Sequence, residues 1–156
     1  MKMTSRALAL LFIPILFLTP TPPVHAATAD DTVPDAQTLA QMEVQARQAN
    51  PRDQCYLYTQ LVHTMTVMAV KQIADGDDNG ANATLKEINY YAQIIQANLA
   101  LNTKRLKNAQ MLMDRTTVRL AEALHLTSDE DRADAKATLK QLNLVQNQLL
   151  NQVFKH

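Results

Sequence analysis

Four side chains of this sequence invite a metal-ligand reading. Glu122 and His125 stand three residues apart, the spacing at which Glu-x-x-His pairs project together into di-iron helical bundles. Such a centre also needs a second copy of the pair and two further inward glutamates. No second copy exists, and outside the acidic run around Glu130 only Glu43 and Glu87 remain. His63 and Met65, with Met68, Met111 and Met113 elsewhere, offer imidazole and thioether donors that suit copper(I) or haem iron. Methionine is equally an ordinary filler of irregular apolar gaps, and the c-type haem attachment motif is missing. A metal- or haem-binding bundle therefore ranks last among the readings, and no cofactor is expected.

Nucleophilic chemistry fares no better. Cys55 and His63 lie eight residues apart on one predicted helix, about 12 Å along its axis and too far to share a proton directly. No Gly-x-Ser-x-Gly, glycine-rich phosphate loop or paired inward acids occur, so the chain is not expected to be an enzyme. Asn82-Ala83-Thr84 matches the glycosylation sequon, but the local pattern already explains it as the start of a helix. Cys55 is the sole cysteine, which excludes an internal disulfide. Its place on an apolar helix face predicts a buried thiol.

The compartment is written at the N-terminus. Lys2 and Arg6 precede a run of twelve residues, Ala7 to Leu18, that is apolar apart from Pro14. Turn-prone Thr19 to Pro23 and then Val24-His25-Ala26 follow. This order predicts a cleaved signal peptide over 1–26, because twelve apolar residues fall short of the ~20 that a spanning helix needs. The exported product would be periplasmic or extracellular, with no transmembrane segment. Loss of Lys2 and Arg6 leaves thirteen basic against fifteen acidic residues, a net of −2. One short basic run, Lys104-Arg105 with Lys107, does not make the clustered surface that phosphate binding requires. Nucleic acid is thus not an expected partner.

Behind these residues stands an all-α chain. All six prolines lie at or before Pro51, and the only glycines are Gly76 and Gly80. Ala, Leu, Gln, Lys and Met, which lose little rotamer freedom in a helix, dominate the remainder. Residues 27–34 read as a flexible linker, and 35–156 as a single antiparallel helical-bundle domain. A short helix is predicted from Asp35 to about Ala49, with Leu39, Met42 and Ala46 on one face. Asn50 as cap, Pro51 at the first helical position and Asp53 near the dipole's positive end start a second helix. It reaches about Ala74, with a stripe of Cys55, Tyr58, Val62, Met65, Ala69 and Ile73.

After the glycine turn, alternate steps of three and four pass through Leu85, Ile88, Ala92, Ile95, Leu99, Asn102, Leu106, Ala109, Met113, Thr116, Leu120 and Ala123. All but Asn102 and Thr116 are apolar. This unbroken heptad predicts one long central helix, about 82–125 and ~66 Å long, with Asn102-Thr103 as the place where a kink could form. Thr127 or Ser128, with Glu130 or Asp131, forms a capping box for a last helix to about Phe154. Tight connections make neighbours antiparallel. The second helix would then lie on the first half of the rod and the last helix on its second half, with the short first helix beside that second half too. Tyr90, Tyr91, Ile94 and Ile95 would be left under-covered, and a protein partner or a second copy of the chain is expected there.

Leu126-Thr127 with its acidic turn and long helix resembles the Leu-Thr-x-x-Gln element of periplasmic helical chaperones of the Spy and CpxP type. The likeness covers some six residues and lacks the Gln. It implies an exported chaperone-like or stress-responsive protein and assigns no binding residues. The main expectation is a non-catalytic interaction or oligomerisation module of the cell envelope.

Overall fold

The structure is a computed structural model and describes residues 34–101, 103–125, 127 and 132–155. The expected signal peptide, and the linker as far as Val33, lie outside these residues. Five helices follow in order: α1 Ala36–Gln48, α2 Pro51–Asp75, α3 Asp78–Asn98, α4 Leu106–Ala123 and α5 Arg132–Val153. The described chain is all-helical, as its composition predicts.

Local chemistry sets the helix ends. The Asp35 carboxylate caps α1 by accepting from the Thr38 amide at 2.7 Å, which holds its carboxyl below the usual range. Asn50 caps α2 by accepting from the Arg52 amide at 3.0 Å, and Pro51 opens the helix where its missing N–H costs nothing. Gly76 closes α2 in the left-handed region, φ 75. There its amide donates to the Ile73 carbonyl at 3.2 Å and the next amide, of Asp77, to Gln72 at 2.8 Å, a Schellman ending. The second glycine ends nothing. Gly80 lies inside the first turn of α3, its amide held at 3.0 Å by the Asp77 cap, and a Cβ there would run into that carboxylate.

The single long helix over 82–125 is not what forms. The helix stops at Asn98 and resumes at Leu106. Ala81 and Ala123, which a continuous rod would hold at opposite ends, share one small buried cluster with Ile73. Folding back lets both halves of the apolar stripe face the same interior, whereas a rod would have left part of it in water. The connection has its own bonds: Leu101 N–H and Thr103 Oγ donate to the Asn98 carbonyl at 3.1 and 3.0 Å, and Lys104 N–H donates to Arg52 of α2 at 2.8 Å. Arg105 takes a left-handed φ of 55 to restart the helix. Its guanidinium lies over the Tyr56 ring, 5.2 Å from the centroid.

The result is a four-helix bundle of α2 to α5 with α1 laid along α2. Helix α2 packs on α3 and α4, and α5 packs on those same two helices. Helices α3 and α4 are consecutive, yet stand at diagonal corners. The Gly76 turn makes α2 and α3 antiparallel. Contacts from Arg52–Lys104 through His63–Thr116 to the Ile73–Ala123 cluster make α2 and α4 parallel. Asn89–Thr138 at 2.8 Å and the Gln141–Gln96–Gln148 chain, 2.9 Å at each step, make α3 and α5 parallel. Two antiparallel hairpins therefore lie side by side in register. The α1 helix sits against α2 rather than beside α4, because the Pro51 bend returns it along the α2 face that carries Leu61, Met65 and Met68.

The core holds Leu61, Met65, Leu85, Ile88, Ile95, Met113, Leu120, Leu142 and Leu149, all essentially free of solvent. Burial of each such side chain contributes about 1.5–3 kcal/mol relative to exposure. Gln146 of α5, between the buried Leu142 and Leu149, reaches α4, meeting Asp114 and Thr117.

Candidate interaction site

A run of aromatic rings leads from the core to the surface. Tyr58 of α2 stacks on Tyr91 of α3, centroids 5.7 Å apart, and Tyr91 meets the neighbouring Tyr90 edge-on at 5.2 Å. Tyr58 and Tyr91 are 6% and 9% exposed, whereas Tyr90 is 59% exposed. Burial raises the Tyr91 phenol above its ordinary range, and the charge of the nearby Glu43 carboxylate adds to the rise. Tyr58 shifts upward mainly by burial as well, with Tyr90 and Glu43 adding to it and Arg47 opposing.

Beside the rings runs a groove of about 320 Å³ between α1, α2 and α3. Leu39 and Ala40 of α1 form one wall, Leu61, Met65 and Met68 of α2 the floor, and Thr84 and Tyr91 of α3 the other wall. Glu43 and Glu87 add a carboxylate to each wall, and no Lys, Arg or His lines the groove. Neither glutamate forms an ion pair among the described residues.

The residues singled out by sequence scatter. Of the four expected partner-binding positions, Ile95 is wholly buried, Tyr91 nearly so and Ile94 half-buried against the core, leaving Tyr90 at the surface. Tyr91 is covered by Tyr58 of α2, and the fold-back brings α5 against α3. Met65 lies in the core at 2% exposure and borders the α1 groove. His63 faces α4, where its Nδ1 lies 2.9 Å from Thr116 Oγ1. That hydroxyl donates its one proton to the Leu112 carbonyl at 2.7 Å, so the imidazole carries hydrogen on Nδ1 and donates. Glu122 and His125 are both exposed near the end of α4, and Glu122 borders a second groove with His63, Asp114 and Arg119. No group of three His, Cys, Asp or Glu able to hold a metal occurs among the described residues. Cys55 is buried at 0% exposure, and desolvation pushes its thiol up to about 12.

Sequence reasoning missed Glu43, Glu87 and Thr84 as neighbours. A signal was present in α1, where Leu39 and Glu43 share a side at one-turn spacing. It pointed nowhere while α1 was expected beside the second half of the rod. The Thr127 hydroxyl donates back to Leu124 at 2.8 Å, and the acidic residues of the expected capping box lie outside the described residues. Among the described residues, no helix is long and apolar enough to cross a membrane.

Comparison with known protein families, with curated proteins and with solved structures finds no match to this chain.

Proposed function

We propose that this protein is a non-catalytic interaction module of the cell envelope that presents the Tyr90 face of α3 to a protein partner. The observation that carries the reading is the aromatic run itself. Tyr90 is an exposed ring already braced against Tyr91, so little side-chain freedom is lost when a partner covers it. Tyrosines of this kind dominate the energetics of protein interfaces. The charged and then apolar start of the chain supports export, and the near-neutral charge supports a protein partner over nucleic acid.

Site-specific photo-crosslinking in the native envelope tests this. A crosslinking residue in place of Tyr90 is expected to trap one discrete partner, or a second copy of the chain. The same residue in place of Asn108, exposed on the diagonal helix α4, is expected to trap none. Equal labelling from both positions, or none from position 90, overturns the reading. Light scattering of the purified protein then separates self-association from capture of a different chain.

A further inference from the structure

We propose that the end of the bundle where α1 passes into α2 and α3 into α4 docks on an anionic phospholipid surface, with Leu101 and Phe154 entering the headgroup layer. This does not rest on the Tyr90 reading. In the sequence Lys104, Arg105 and Lys107 form only a short basic run, but the fold adds to it from three other elements. The Lys104 amide donates to the Arg52 carbonyl at the start of α2. In that same turn the Gln54 side chain donates to the Arg47 carbonyl at the end of α1, 3.2 Å away. Lys155, just past α5, lines one groove with Leu99 and Ala100 of the α3–α4 connection. All six of these basic residues are exposed. Among the described residues, the one carboxylate in the terminal turns of this end is Asp53, 3.7 Å from Lys104. The terminal turns and caps of the opposite end reverse the sign, with Asp75, Asp77, Asp78, Glu122 and Asp134 set against Arg132. The field therefore runs along the bundle and turns its basic end towards a negative surface.

Charge alone would suit a nucleic acid as well, and the apolar side chains decide between the two. Phe154 is 81% exposed and Leu101 46%. Phe154 adjoins Lys155 and Leu101 adjoins Ala100, the two residues that share the groove just described. A phosphate backbone does not cover such side chains, whereas a bilayer takes them below its headgroups while lysine and arginine meet the phosphates above. Each base close to an anionic surface strengthens binding by roughly fivefold. The apolar pair supplies the second signal that stable peripheral attachment needs.

The test uses the protein purified from the cell envelope. Vesicles of phosphatidylglycerol mixed with phosphatidylcholine are expected to sediment it, and vesicles of phosphatidylcholine alone to leave it in solution. Lys104→Gln, Lys107→Gln and Lys155→Gln together should weaken binding on the order of a hundredfold. Lys86→Gln, Lys136→Gln and Lys140→Gln remove the same charge from exposed positions of α3 and α5 away from this end, and should leave binding nearly unchanged. Amide dichroism confirms that both variants fold. The chain has no tryptophan, so Phe154→Trp introduces a single reporter. Its emission should shift to the blue on the phosphatidylglycerol vesicles, while that of Tyr90→Trp should not. Equal binding to both kinds of vesicle, equal loss in the two triple variants, or tight binding of duplex DNA with no blue shift at position 154 would overturn the proposal.

Discussion

His63 of α2 and Thr116 of α4 are joined across the bundle interior by a 2.9 Å hydrogen bond, with the threonine 0% exposed. The contact exists only because the chain turns back between α3 and α4, and it ties the parallel pair at mid-length. Thr116→Val keeps the volume but removes the acceptor of the imidazole N–H. Stability in urea is expected to fall by about 1–3 kcal/mol, the cost of a buried donor losing its partner. Thr66→Val is the control. Its hydroxyl donates only to the Val62 carbonyl of its own helix, and the change should cost clearly less.

The turn-back is measurable as a distance. Lys86 and Glu122 are both exposed, and a continuous helix would separate them by about 54 Å at 1.5 Å per residue. Spin labels at these positions are expected to report roughly half that. A broad peak near the longer value would restore the rod.

Alkali should loosen the fold. The Cys55 thiol ordinarily titrates near 9.0 but is pushed up to about 12 in the fold, and Tyr58 and Tyr91 shift in the same direction. The unfolded chain therefore loses these protons first, and the linkage slope is negative above about pH 9. Stability is fully present below that pH and declines as pH rises towards 12. Cys55→Ala should move the alkaline midpoint upward. The native thiol should resist alkylation at pH ~8 and react at once in denaturant, since only the thiolate attacks.

Arg105 serves two opposed ends. Its left-handed backbone, φ 55, costs a non-glycine residue roughly 1 kcal/mol, while its guanidinium over Tyr56 contributes about 0.5–1 kcal/mol. Arg105→Gly relieves the first and loses the second, so its urea midpoint should lie close to that of the parent. Arg105→Ala keeps the strain and loses the ring contact, and should be the less stable of the two variants.

The buried face of nearly every helix was legible in the sequence. All six stripe positions of α2 are buried, and in the heptad Leu85, Ile88, Ala92, Ile95, Ala109, Met113, Thr116, Leu120 and Ala123 all point inward. Continuity was not legible, because a repeat that keeps its register reads the same whether the helix runs on or folds over. What decides is tertiary: on α2, far back in the chain, the Arg52 carbonyl and the Tyr56 ring receive Lys104 and Arg105. The same expectation of a rod left Tyr91, Ile94 and Ile95 under-covered, whereas Tyr91 stacks on Tyr58 of α2 and the two isoleucines pack against the core. The groove lies beside α1, a helix whose neighbour no periodicity could name.

The four tyrosines, Tyr56, Tyr58, Tyr90 and Tyr91, belong to the first hairpin, and the chain has no tryptophan. Near-ultraviolet absorbance and emission are thus blind to α4 and α5, whereas amide dichroism sees every helix. Coincidence of the two melting curves would measure how strongly one half of the molecule obliges the other to melt with it. A lag between them would divide the bundle at the diagonal link.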